Sequence, residues 1–235
     1  MIKSVIFDLD GTLVDSLDAL WGAFNDGVAA FHLPPVTRDV LMGWMNRGTP
    51  LADILTGTYT GLSGGADPAR PADIMLAIKE QYLARCTEET VLEDGAAALL
   101  ARLKERPLKL GVVTSRTVAV QKVWAELERL HIGGMVDAVV TAADLPRKPA
   151  PDGVLACLKQ LAVAPGEALL VGDSRADIRA GKAAGVRTVA IAGGVSSREG
   201  LAAESPDFIF DNLPGLSRQL DAVLAGVKPN RRGER

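Results

Sequence analysis

Six short, almost continuously apolar runs punctuate the chain: Ser4–Phe7, Leu110–Val113, Ala138–Val140, Ala168–Val171, Thr188–Ala192 and Phe208–Phe210. Apolar runs of this length, without polar alternation, predict strands covered on both faces. Helical periodicity fills the intervals. Val120, Val123, Trp124, Leu127 and Leu130 make one stripe, and Val154, Leu155, Leu158 and Leu161 another. From residue 94 onward helix and strand alternate, which predicts a parallel sheet wrapped by helices.

Residues 16–90 break that rhythm. They contain no convincing strand. Leu17, Leu20, Trp21, Phe24, Val28 and Phe31 recur at helical spacing, and Val40, Leu41, Trp44 and Met45, then Ile74, Ile78 and Tyr82, predict further helices. Thr56–Pro71, rich in Gly, Thr and Ser, reads as a long loop, of a kind usually tied to function or motion. The organisation expected is an α/β, Rossmann-like core from residues 1–15 and 91–235, its sheet sandwiched by helices. A helical insert, 16–90, interrupts it after the first strand, with hinges near Asp15–Ser16 and Glu88–Asp94.

Composition narrows the classes. Apolar residues make up 48% of 235, enough for a sizeable buried core. The net charge of −3 carries no basic footprint for nucleic acid. No apolar run approaches the length of a membrane span and no signal segment is visible, so a cytoplasmic setting is expected. Cys86 and Cys157 have neither metal-ligand spacing nor a disulfide framework and read as buried thiols. The basic tail from Lys228 reads as a frayed end.

Chemistry concentrates where strands end. The first strand runs into Asp8-Leu9-Asp10-Gly11-Thr12. At about 4 Å and an effective dielectric of about 20, two carboxylates repel by roughly 4 kcal/mol, so a hard divalent cation is the expected companion. Three further sites follow predicted strands: Thr114-Ser115, Lys148-Pro149, and Gly172-Asp173-Ser174-Arg175-Ala176-Asp177. Open α/β sheets bind ligands outside the carboxyl ends of their strands.

This ordered series, Asp-x-Asp-Gly-Thr, Thr, Lys-Pro and Gly-Asp-Ser-x-x-Asp, resembles the haloacid dehalogenase superfamily from residue 2 to about 213. The opening Phe7-Asp8-Leu9-Asp10-Gly11-Thr12-Leu13-Val14-Asp15-Ser16 is similar to its phosphoglycolate phosphatase-like branch. The resemblance implies a Mg²⁺-dependent phosphatase acting on a small phosphorylated metabolite, monomeric or homodimeric, with the insert as a cap. Asp8 becomes the nucleophile that forms an aspartyl-phosphate, and Asp10 the general acid and then base. Gly11, Thr114, Ser115 and Lys148 become phosphate-binding residues. Asp8, the backbone carbonyl of Asp10, Asp173 and Asp177 become the metal site, where oxygen ligands favour Mg²⁺. Two departures stand out: Ser115 where many relatives carry Asn or Gly, and Arg147 where Gly is common before the lysine.

Structural readings stand beside these. Ser174 and Asp177 have capping-box spacing, so Asp177 serves either a metal or a helix start. Ser115 or Thr114 can cap a helix beginning near Thr117, and Asp15 reads as a cap of the following helix. Arg47 is either a grip for a distal anionic group or an exposed helix-end arginine. His32 and His131 lack carboxylate or thiol companions. The stretch from Gly11 through Ile78 holds no lysine, which speaks against the Schiff-base chemistry of the phosphonatase branch. Asp10 speaks against dehalogenation, whose enzymes lack that second aspartate. A sugar phosphomutase or pyrophosphatase keeps the same core motifs. A receiver domain, phosphorylated on strand 3, or a binding-only relative lacking Asp8 or Asp10, fits less well.

Overall fold

The computed structural model describes residues 1–46, 54–55, 71–86 and 88–227. Arg47, the loop residues 56–70 and the basic tail from Lys228 lie outside them. The chain divides into two compact units, Met1–Asp15 with Val91–Arg235, and Ser16–Thr90.

The first unit holds a six-stranded parallel sheet of β1 (Ser4–Phe7), β4 (Lys109–Val113), β5 (Ala138–Val140), β6 (Ala168–Gly172), β7 (Arg187–Ile191) and β8 (Phe208–Phe210). The order is β5-β4-β1-β6-β7-β8. The chain therefore builds outward from β1 on one side, then returns to build on the other. That reversal opens a crevice at the carboxyl end of β1. The register is tight there: Phe7 lies opposite Val112 on β4 and Val171 on β6. All four residues of β1 are buried, as expected of a central strand with both faces covered. The helices α4 (Ala96–Lys104), α5 (Val120–Arg129), α6 (Asp152–Leu161), α7 (Arg175–Ala184), α8 (Arg198–Ala203), α9 (Leu213–Arg218) and α10 (Leu220–Ala225) also belong to this unit.

The structure departs from the sequence pattern at several places. A ribbon of β2 (Val14–Asp15) and β3 (Val91–Leu92) pairs antiparallel; two-residue strands carry no readable periodicity. On α6 the inward face is Val154, Cys157, Leu158 and Leu161, while Leu155 is exposed, because the apolar arc is centred one position differently. Helix α5 starts at Val120, with Ala119 at its N-cap, so neither Thr114 nor Ser115 caps it. Ser16, not Asp15, occupies the N-cap position of the helix after β2.

In the second unit α1 (Leu17–Ala29), α2 (Arg38–Asn46) and α3 (Pro71–Arg85) are helical. Phe24, Val28, Leu41, Ile74 and Ile78 are buried together with Ile54 and Leu55. Helices α1 and α3 pack closely: a side chain at Gly27 would meet the Ile78 backbone at 2.8 Å. Trp21 stands at the surface, its indole N–H donating to the Val36 carbonyl at 2.9 Å. Both histidines are exposed. Among the described residues no helix is long and apolar enough to cross a membrane.

Both cysteines are free and buried. Burial pushes the Cys157 thiol up to about 12, leaving almost no reactive thiolate at neutral pH. A thiol-specific reagent at pH 8 should leave Cys157 unlabelled in the native protein and label it in urea. Mass-spectrometric mapping checks this, and rapid native labelling would contradict it.

Candidate active site

Because β1 lies between β4 and β6, the ends of these three strands deliver Asp8, Thr114 and Asp173 to neighbouring positions. The backbone fixes this before any side chain is considered. The Asp8 amide donates to the Val171 carbonyl at 2.9 Å, and the Thr114 amide to Val140 at 3.0 Å. The chain after Asp8 then closes a tight turn. The Leu9 carbonyl accepts from Leu13 and Val14, and the Gly11 amide donates to Val14 at 2.8 Å. Gly11 has φ of +76°, and a side chain there would sit 2.5 Å from an Asp173 oxygen, so glycine is required twice over.

Three carboxylates meet in this crevice. Asp8, Asp173 and Asp177 are buried, and one oxygen from each lies within 4.8 Å of the others. Lys148 is their counterion. Its ammonium lies 2.5 Å from Asp8 Oδ1 and 2.6 Å from Asp177 Oδ1, and donates to the Val113 carbonyl at 3.1 Å. Its side chain is only 4% exposed, so this charge is committed to the cluster.

The electrostatics follow from three negative groups sharing one positive one. Burial, with repulsion from Asp177, holds the Asp8 carboxyl well above the usual range, and Lys148 offsets only part of this. Burial and Asp177 push Asp173 up to about 7, against the hydrogen bond from Val195. Burial works against the charge on Lys148, yet the attraction of Asp177 and Asp8 prevails and its pKa is raised. The cluster is short of positive charge and its donors are all hard oxygens. It therefore fits a divalent cation such as Mg²⁺.

Surrounding groups orient these carboxylates. Thr12 Oγ1 donates to Asp173 Oδ1 at 3.0 Å, and the Val195 amide donates to Oδ2 at 2.6 Å. The capping box at the start of α7 is present. Asp177 Oδ2 accepts from the Ser174 amide at 3.0 Å, and Ser174 Oγ accepts from the Asp177 amide at 3.2 Å. Asp177 thus caps its helix with one oxygen and faces Lys148 with the other. The capping reading of this residue is therefore met by Oδ2, while Oδ1 is left within the carboxylate cluster that could hold a metal ion.

Asp10 is engaged elsewhere. Arg116 Nε donates to Asp10 Oδ2 at 2.8 Å and its Nη2 to Oδ1 at 2.6 Å, a two-pronged fork. Arg116 also ion-pairs with Glu126, and both residues are buried. Thr114 Oγ1 accepts from the Arg116 amide at 3.1 Å. Sequence reasoning passed over Arg116, Glu126 and Val195, and gave Thr12 no role beyond its place in the opening motif. One signal was available: Glu126 follows Val123 by three residues and precedes Leu127, putting a charged group inside the apolar arc of α5.

The structure brings Asp8, Lys148, Asp173 and Asp177 into one buried cluster and sets Thr114 and Gly11 beside them. Ser115 is half-buried.

Comparison with known proteins agrees with this arrangement. The family model for haloacid dehalogenase-like hydrolases matches residues 5–191. The chain is 31% identical over 219 residues to a phosphoglycolate phosphatase of Pseudomonas putida, covering 91% of this chain and 78% of that one. It is 32% identical over 234 residues to the phosphoglycolate phosphatase of Escherichia coli, covering 92% and 91%. Among solved structures, CbbY from Rhodobacter sphaeroides in complex with phosphate superposes with a TM-score of 0.71 at 27% identity, over 92% of this chain and 96% of that one. A protein of Haemophilus somnus, described as a predicted phosphoglycolate phosphatase, shares the fold with a TM-score of 0.77 at 24% identity, over 94% and 97%. With the four motifs gathered at the carboxyl edge of one parallel sheet, the chain belongs to the haloacid dehalogenase-like hydrolase family, in its phosphoglycolate phosphatase-like branch.

Proposed function

We propose that this protein is a Mg²⁺-dependent phosphatase of small phosphomonoesters, phosphoglycolate foremost, working through an aspartyl-phosphate on Asp8. The observation that carries this reading is the buried contact of Lys148 with both Asp8 and Asp177, beside Asp173. A carboxylate that is buried, opposed by its neighbours and paired with one lysine is a candidate nucleophile.

In this mechanism an Asp8 oxygen attacks phosphorus and the bond to the substrate alcohol breaks. Asp10 gives its proton to the departing oxygen. Asp10 then takes a proton from water as that water attacks the aspartyl-phosphate, releasing inorganic phosphate and free Asp8. Lys148 and Thr114 neutralise and position the phosphoryl oxygens, since catalysis of this transfer rests on placement and charge. Asp8, Asp173, Asp177 and the backbone carbonyl of Asp10 would hold Mg²⁺, which supplies charge neutralisation to the phosphoryl group. Residues 16–90 act as the cap that selects the substrate, with Arg47 as the grip for a carboxylate distal to the phosphate.

Purified protein should release phosphate from p-nitrophenyl phosphate and from phosphoglycolate with Mg²⁺, stop with a chelator, and resume when Mg²⁺ is restored. Mg²⁺ should also raise the melting temperature, because the ion binds only the folded cluster. Turnover that persists in chelator would overturn the metal role. A panel including glucose 1-phosphate and pyrophosphate tests the substrate, and preference for either would displace phosphoglycolate.

A further inference from the structure

The Arg116–Asp10 fork lies outside the assignments made so far. Asp10 is not among the three carboxylates that gather around Lys148. Both its oxygens instead receive N–H groups from one guanidinium. That guanidinium is itself fixed from several sides. Glu126, only 1% exposed on α5, ion-pairs with it from behind. The Arg116 amide donates to Thr114 Oγ1 at 3.1 Å, and its carbonyl accepts from the Ala142 amide at 3.0 Å, beyond the end of β5. A planar fork bound to both oxygens fixes the plane of a carboxylate, which a point charge cannot do.

The location matters chemically. Strand alternation would point Asp10 to the same side as Asp8. The turn at Gly11 frees it from that constraint but does not set a new direction. Arg116 supplies one. It enters from the loop after β4, the same loop that carries Thr114, so phosphate ligand and Asp10 anchor are two residues apart. Burying an arginine between two acids, 106 and 10 residues away, makes sense as positioning of the half-buried member, Asp10, by the fully buried member, Glu126.

We propose that Arg116, braced by Glu126, is a positioning residue that orients the Asp10 carboxyl toward the leaving oxygen and away from the metal cluster. This rests on the phosphatase reading above. Arg116 touches neither substrate nor the reacting atoms in this role; it acts through Asp10.

The test is leaving-group dependence. An alkyl alcohol needs its proton from Asp10, whereas p-nitrophenol departs readily as the anion. In Arg116→Lys the charge remains but the fork is lost. Its kcat/KM for phosphoglycolate should fall on the order of 10- to 100-fold, a part of the roughly 10²- to 10⁴-fold that general acid catalysis contributes. For p-nitrophenyl phosphate it should fall about threefold or less, since proton donation contributes little there. Glu126→Gln, which leaves Arg116 in place but weakens its brace, should show the same split on a smaller scale. It also carries the test if Arg116→Lys does not fold. Equal losses on both substrates, or no loss on either, would overturn the positioning role while leaving the phosphatase reading intact. Wild-type protein inactive on both substrates with Mg²⁺ would overturn the phosphatase reading, and this role with it.

Discussion

Asp8→Asn should abolish phosphate release and, in chelator, raise the melting temperature. The first effect follows from nucleophile chemistry: a carboxamide cannot form the phosphoryl intermediate, and kcat should fall by about 10⁴-fold or more. The second follows from the charge balance of the cluster. Asp8, Asp173 and Asp177 stand within 4.8 Å of one another, and each close pair costs roughly 4 kcal/mol at an effective dielectric near 20. Removing Asp8 relieves two such pairs and sacrifices one contact with Lys148, which keeps Asp177. The expected gain is roughly 2–8 °C at pH 8. The pH dependence has a definite sign. The Asp8 carboxyl is raised in the folded state, so its ionisation destabilises the fold increasingly as pH rises above its unfolded value of 3.8. The advantage of the variant should therefore be largest at pH 8, shrink as pH falls toward 3.8 and vanish below about pH 3, where Asp8 is protonated in both states. Melting curves at both pH values check this. A variant less stable than wild type at pH 8 in chelator would show that the carboxylate cluster is not strained.

Lys148→Ala should do the reverse, costing both stability and activity. The ammonium is buried against Asp8 and Asp177 at 2.5 and 2.6 Å. Breaking a buried pair by removing one partner leaves the other charges uncompensated and costs about 3–5 kcal/mol. For a protein of this size that is a fall in melting temperature of roughly 6–20 °C. Turnover should drop about 10²- to 10³-fold with loss of the positive charge facing the phosphoryl oxygens. Added Mg²⁺ should raise the melting temperature of this variant by more than it raises that of the wild type, because the cation replaces the missing charge. Thermal melts with and without Mg²⁺ measure this. Unchanged stability of Lys148→Ala in chelator would remove Lys148 from its role as counterion.

Paired with Asp8→Asn, this variant separates the two charges that define the site. One substitution removes excess negative charge and the other removes the compensating positive charge. Opposite shifts in stability with a common loss of activity are the signature of a site that trades stability for chemistry.

Much of this was legible along the chain because it rests on local signals. Apolar runs set the six strands of the main sheet, with ends displaced by a residue at β4, β6 and β7. The motifs following β1, β4 and β6 lie at the strand ends, since each is contiguous with its strand in sequence. The capping box at Ser174 and Asp177 was readable from a spacing of three. What sequence could not show was pairing across distance. The fork between Asp10 and Arg116 spans 106 residues, and the bond from Thr12 to Asp173 spans 161. Neither leaves a periodic trace. Each exists only because the strand order sets β1 between β4 and β6, so that three loops remote in sequence share one crevice. The sequence by itself determined where the motif residues fall along the chain and that strand ends present those of β1, β4 and β6. The tertiary structure alone decided their partners: Asp8 and Asp177 with Lys148, Asp173 with Thr12 and Val195, Asp10 with Arg116. Local periodicity encodes backbone conformation, whereas the direction of a buried side chain is settled by the charges that packing brings against it.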